Sequence, residues 1–302
     1  MDDASAPTKA VWFVRHGQSE ANVLFYAGKV QEARAIRDPG LSEEGVAQAR
    51  GVPAKYQAVL GSALSIEPST EQIDLLVISP MRRTIQTAMH AFGDWLATRA
   101  AAGSSVPIVL APDIQETGDV LCDTGRPASE VRAEFEAAYP CLPFDTLPEN
   151  WCQKEGLYAH TGDALAMRFR KFTRWLQARP ERNVLVVAHH NVFLGMFGIS
   201  FLNCEVRKFA LQCRSADATE ASIDSAAARH AAEGGDERYG GGGLSIAVPP
   251  LMPPWEPVQP KISTHDDQLS KAELEFVNNP TMKHHNKAKM ELWGFRMPDR
   301  LR

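Results

Sequence analysis

Several things are missing or scarce in this sequence, and each absence excludes something. No apolar run approaches the ~20 residues needed to cross a bilayer as a helix, so no membrane partner is expected. Basic charge is not in excess. Thirty-two Lys plus Arg against 37 Asp plus Glu leave a net of −5, so no global positive field exists to hold nucleic acid, and any anion site must be local. Cysteine is sparse and odd in number. Cys122, Cys141, Cys152, Cys204 and Cys213 include no C-x-x-C pair, which argues against a disulfide framework or structural zinc and for a reducing compartment. The opening Met1-Asp-Asp-Ala-Ser5 is acidic and polar, unlike a signal peptide. Cytoplasmic residence is the expectation, with the nucleus as the alternative.

What is present is ordinary globular material. The chain has 302 residues, 44% hydrophobic and 23% charged, enough to bury a substantial core. Between residues 10 and 214, short apolar runs alternate with helical patterns. Ala10–Arg15, Asp74–Ser79, Pro107–Leu110 and Asn183–Ala188 are near-continuously apolar, as strands of a sheet covered on both faces are. Ser42 is a suitable N-cap for a helix opening with Glu43 and Glu44. Residues 82–100 and 163–178 carry apolar positions at helical spacing, among them Leu165, Phe169, Phe172, Trp175 and Leu176. Strand–helix alternation predicts an α/β fold, a three-layer α/β/α sandwich with a mostly parallel central sheet. The stretch of about 117–161 breaks the rhythm and reads as an inserted cap over one end of the sheet.

The remaining segments differ in texture. Residues 1–9 read as an N-terminal tail. Residues 215–243 contain eight Ala and six Gly, too little apolar surface to offset ordering entropy. Together with the proline-rich stretch that follows, 215–260 reads as a flexible linker. Residues 261–302 form a basic tail whose last 20 residues hold six Lys or Arg against two Asp or Glu, a net of +4. This tail leaves room for a protein partner.

Chemistry concentrates where strands end. Val14-Arg15-His16-Gly17-Gln18-Ser19-Glu20-Ala-Asn22 follows the first strand, and ligands of α/β sheets bind beyond the carboxyl ends of strands. Ser79-Pro80-Met81-Arg82-Arg83-Thr84-Ile85-Gln86-Thr87 follows the second and opens a helix. Arginines in a first helical turn oppose the helix dipole, which favours a functional over a solvated role, since a guanidinium there supplies fixed donors for phosphate. Val184-Leu-Val-Val-Ala-His189-His190-Asn191 is another strand running into a helix. Successive side chains on an extended segment point to opposite sides, so His189 and His190 do not form a metal pair. Neither a metal nor another cofactor is expected. Asp113-Ile114-Gln115-Glu116 follows the strand at 107–110 and supplies an acid, with Asp119 and Asp123 as rivals.

The motif around His16 resembles the signature of the histidine phosphatase superfamily, the phosphoglycerate-mutase-like enzymes, whose histidine takes up a phosphoryl group. The segment from Ser79 looks like the family's Ser-x-x-x-Arg-Ala-x-Gln-Thr, which puts its phosphate-binding arginine at Arg83 rather than Arg82. His189 matches the family's second histidine, with His190 standing where glycine is common and therefore able to narrow the pocket or touch substrate. Glu116 matches the acid. The Cys122-Asp123-Thr124-Gly125 string and Phe201–Phe209 look like a fungal and plant branch of mutase-like proteins. The likeness spans about residues 10–213.

The resemblance implies catalytic His16, Glu116 and His189, with Arg15, Asn22, Arg83 and His190 binding substrate. The implied reaction is that of a histidine acid phosphatase-type phosphomonoesterase, acting on a small phosphorylated metabolite or a phosphoprotein through a phosphohistidine. A phosphoglycerate-type mutase is the alternative within enzymes. A non-catalytic phospho-ligand binding module is the alternative outside them. Arg126 and Lys154, in the cap, are candidates for a second anion on the substrate.

Overall fold

The computed structural model describes residues 8–213 and 255–258. Six strands make one sheet: β1 (Thr8–Arg15), β2 (Leu75–Ile78), β3 (Ile108–Leu110), β4 (Asn183–Ala188), β5 (Val206–Gln212) and β6 (Trp255–Pro257), in the order β3-β2-β4-β1-β5-β6. The first four are mutually parallel, with Ile78 opposite Val187 and Val14 opposite the same residue from the other side. β5 runs antiparallel to β1, and β6 antiparallel to β5. The sheet is therefore mixed, parallel over its chemically important half.

Side-chain alternation along the strands divides the core in two. Trp12, Val14, Leu76, Ile78, Leu185 and Val187 face one side, against α3 (Glu43–Lys55), α4 (Gln57–Leu60) and α5 (Arg82–Ala101). Val11, Phe13, Leu75, Val77, Val184 and Val186 face the other, against α7 (Gly162–Ala178) and α8 (His190–Phe197). This is the expected α/β sandwich. Two short helices, α1 (Glu20–Tyr26) and α2 (Val30–Ala35), follow β1.

Residues 117–161 contain α6 (Ala128–Phe135) and three short 3₁₀ turns. Val131, Phe135, Phe144, Leu147 and Trp151 are buried and join the same apolar cluster as α3 and α5. The insertion is thus an extension of the core and not a loose flap. Arg126 also ties it down, pairing with the buried carboxylate of Asp38 at 3.3 Å and with Glu134, which in turn holds Arg82 at 2.7 Å.

Two expectations about the ends need correction. β1 begins at Thr8, so residues 8 and 9 belong to the sheet and not to an N-terminal tail. Trp255–Pro257, inside the stretch read as a linker, forms the sixth strand, with Trp255 opposite Leu211. Its indole is buried edge-on against Phe13 and Phe197, at centroid distances of 5.3 and 5.5 Å. The sequence supplies the reason: β5 exposes an open edge, and one large aromatic among prolines can fill the apolar seat beside it. The rest of the linker and the basic tail lie outside the described residues.

Candidate active site

All four sequence motifs lie just beyond the carboxyl ends of β1, β2, β3 and β4, four strands adjacent in the sheet. Parallel pairing brings these ends to one side. His16 N donates to Ala188 O at 3.0 Å, tying the loop after β1 to the end of β4.

Close backbone packing holds the loop bearing His16. A Cβ on Gly45 would sit 1.9 Å from Gln18 O, and one on Gly17 would sit 2.6 Å from Gly45 O. Only glycine at both positions lets the loop rest on the first turn of α3. Ser42 caps that turn, its hydroxyl accepting from Gly45 N and donating to Gln18. Thr87 Oγ1 accepts from Gly17 N, and Asn203 Nδ2 donates to His16 O, both at 3.0 Å.

These contacts decide which imidazole nitrogen is available. His16 Nδ1 lies 2.7 Å from Gly17 O, and a carbonyl can only accept, so Nδ1 carries the proton and Nε2 the free lone pair. Arg83 Nε donates to that Nε2 at 3.3 Å. The Arg83 guanidinium is buried, donates to Cys122 O at 2.8 Å and lies 3.7 Å from Asp123. Burial, reinforced by the charges of Arg83 and Arg15, holds His16 well below the usual histidine range, so the ring is neutral at pH 7.

His189 is fully buried with its ring centroid 5.3 Å from that of His16. Its Nε2 is 2.8 Å from Ser79 Oγ, and its Nδ1 has no partner among the described residues. Burial and then Arg83 lower its proton affinity strongly, with Lys154 and Arg168 adding to the effect. Arg15 donates to Phe201 O at 2.8 Å, while its Nε lacks a described partner. Asn22 completes a capping box: its Oδ1 accepts from Ser19 N while its N–H goes to Ser19 Oγ. Asn203 also donates to Asn22 Oδ1, so only the Asn22 amide N–H groups remain to point elsewhere. His190, half-buried at the start of α8, donates from Nδ1 to Phe201 O at 3.2 Å, and its charge acts on His16.

Glu116 is buried, its Oε1 accepting from Thr117 N at 2.8 Å. Of its rivals, Asp119 is exposed and Asp123 faces Arg83. Lys154 enters the same neighbourhood, with its Nζ donating to Glu116 O at 2.7 Å. Burial, then the charge of Arg168, pushes its ammonium down to about 7. Arg126 is paired with Asp38 and Glu134. Arg168, not singled out in the sequence, is fully buried and donates to Gln115 O at 3.1 Å. The signal was legible: Arg168 lies three residues after Leu165 and four before Phe172, a charge on the apolar stripe of α7. Ser79 and Thr87 stand in the quoted segment after β2, and Asn203 in the stretch Phe201–Phe209, but the sequence assigned none of them a role.

Among the described residues, no group of three or more His, Cys, Asp or Glu side chains is placed to hold a metal ion. No helix there is long and apolar enough to cross a membrane.

Comparison with known proteins finds relatives of one family. The model of the histidine phosphatase superfamily (branch 1) matches residues 11–226. A phosphoglycerate mutase-like protein of Arabidopsis thaliana is 28% identical over 246 residues, covering 67% of this chain and 84% of its own. A protein of Schizosaccharomyces pombe named as a probable phosphatase is 25% identical over 183 residues, covering 60% and 74%. Among solved structures, a mycobacterial glucosyl-3-phosphoglycerate phosphatase aligns with a TM-score of 0.38 and 19% identity over 68% of this chain and 91% of that one.

Proposed function

The chain belongs to the histidine phosphatase superfamily, and on that premise we propose that it is a metal-independent phosphomonoesterase working through a phosphohistidine on His16. One observation carries the reading: the Gly17 carbonyl fixes the Nδ1–H tautomer, and the lone pair so left on Nε2 lies against the Arg83 guanidinium. A neutral, buried nucleophile beside a phosphate-binding cation is what in-line attack on a phosphoryl group requires.

In this reading Nε2 of His16 attacks phosphorus, and the bond from phosphorus to the leaving oxygen breaks. The electron pair on that oxygen takes the Glu116 carboxyl proton. Water then attacks the phosphohistidine, giving a proton to the Glu116 carboxylate. The P–N bond breaks, its pair returns to Nε2, and inorganic phosphate leaves. Arg15 and Arg83 balance charge on the phosphate oxygens, which metals do in many phosphoryl transferases. Asn22 and the unpartnered Nδ1 of His189 supply further donors. His190 touches substrate in this reading. The substrate is a small phosphorylated metabolite or a phosphoprotein.

Rapid quenching with a labelled aryl phosphate tests this. An acid-labile, base-stable phosphoenzyme is expected in the native protein with EDTA present, and none in His16→Ala, whose turnover falls to background. Loss of activity on chelation that one divalent ion restores would refute metal independence. Passage of the label to a second hydroxyl in preference to water would identify a mutase. Normal turnover in His16→Ala would end the mechanism.

A further inference from the structure

The structure places two cations on consecutive carbonyls of the backbone at the proposed acid. Lys154 Nζ donates to Glu116 O at 2.7 Å, and Arg168 Nη2 donates to Gln115 O at 3.1 Å. They come from different parts of the chain, Lys154 from near the end of the cap and Arg168 from the second turn of α7. Arg168 is completely enclosed, and its Nε and Nη1 meet no acceptor among the described residues. Its guanidinium carbon lies 5.3 Å from the Phe169 ring centroid. Gln115 is fully buried as well, its side chain donating to Trp151 O at 2.9 Å.

A guanidinium shut away from water with two of its nitrogens lacking an acceptor among the described residues is costly to keep. Stability is a poor reason for it, since an apolar residue of similar length would complete the α7 stripe. Its one described hydrogen bond goes to a peptide carbonyl. Its remaining role is local: it fixes a peptide group and projects positive charge onto what lies nearby. Glu116 is the first carboxylate whose charge acts on Arg168, and it acts on Lys154 too.

We propose that Lys154 and Arg168 form a two-point cationic clamp on Gln115–Glu116, positioning the acid and stabilising the carboxylate left once it has given up its proton. Both are positioning residues that act through Glu116. The inference rests on the reading of Glu116 as the proton donor, and it assigns Lys154 a task other than holding a second substrate anion.

The test is leaving-group dependence in the full-length protein. kcat/KM reports the steps through phosphorylation of His16, and only a poor leaving group needs the proton there. Ethyl phosphate and p-nitrophenyl phosphate are the two probes. In Lys154→Met and Arg168→Met, the ratio of alkyl to aryl kcat/KM should fall, by up to about 100-fold for an acid displaced from its productive geometry. Lys154→Gln and Arg168→Gln are the second pair, should the apolar variants not fold, and the same fall is expected. Equal losses for both esters, or a change confined to KM, would overturn the clamp. Glu116→Gln is the parallel arm. A selective loss there without one in the clamp variants defeats only this inference, whereas equal losses for both esters in Glu116→Gln defeat the assignment of the acid itself.

Discussion

Arg83 Nε and His16 Nε2 stand 3.3 Å apart, so in the proposed mechanism the cation that meets phosphate already touches the nitrogen that attacks it. An incoming phosphoryl group has to slip between them, exchanging the hydrogen bond to Nε2 for one to a phosphate oxygen. In that mechanism Arg83 does two things: it keeps Nε2 from taking a proton and it supplies charge to the transition state.

Removal of that guanidinium should be severe. Arg83→Ala is expected to lower kcat for an aryl phosphate by about 10²–10³-fold, the usual cost of losing one fixed donor to developing negative charge. Arg83→Lys should recover only part of this, because one ammonium cannot hold the Cys122 carbonyl and grip phosphate in a planar fork as well. Steady-state kinetics decide it, and full recovery by lysine would show that charge alone matters.

The buried histidines make the protein sensitive to mild acid. Burial, with Arg83 and Arg15 behind it, holds His16 low, and burial with Arg83 holds His189 low. As pH falls through about 6.5, the unfolded chain protonates both imidazoles while the folded one protonates neither. Stability is therefore unaffected above that pH and declines below it, by about 1.4 kcal/mol per pH unit for each histidine. Urea midpoints between pH 7 and pH 5.5 should show the decline, and His16→Gln should flatten it. An unchanged slope in that variant would refute the assignment.

Gly45→Ala should damage a residue that never touches substrate. Its added Cβ lands 1.9 Å from Gln18 O, a backbone atom with nowhere to go. Either α3 or the loop bearing His16 must move, at about 3 kcal/mol in stability. Thermal unfolding and kcat should fall together, since the displaced segment carries the nucleophile.

Trp255→Ala should separate stability from chemistry. The indole fills a seat between Phe13 and Phe197, and emptying it should cost about 3–5 kcal/mol. Below the unfolding transition, kcat should stay near that of the native protein, since none of the residues around Nε2 of His16 contacts the ring. Denaturant titration with a parallel activity assay makes the comparison.

The sequence was most readable where a strand ran straight into a polar cluster. His16, Arg83, Glu116 and His189 were visible because near-continuous apolar runs marked the strands, and parallel pairing made their ends converge. Arg168 stands as a single charge among the apolar residues of α7, where the helical period is set by its neighbours. Lys154 lies some 40 residues from Glu116, and only the fold of the cap brings them together. Asn22 was placed through its motif, but its part in capping α1 depends on backbone geometry that no pattern displays. β6 escaped for a different reason. Three residues among prolines carry no period, and their pairing is dictated by the open edge of β5.

That late strand bears on how the chain is made. All four loops of the proposed site, and β5 with them, leave the ribosome before Trp255 does. Through that interval the aromatic face built from Phe13, Phe197 and Phe209 has no cover at one side, and the outer edge of β5 has no hydrogen-bonding neighbour. A nascent sheet in that state is a template for mispairing with other chains. Synthesis therefore finishes the chemistry before it finishes the sheet. A premature stop anywhere between Cys213 and Trp255 would release a chain with every motif of the proposed site in place and one sheet edge left unsealed.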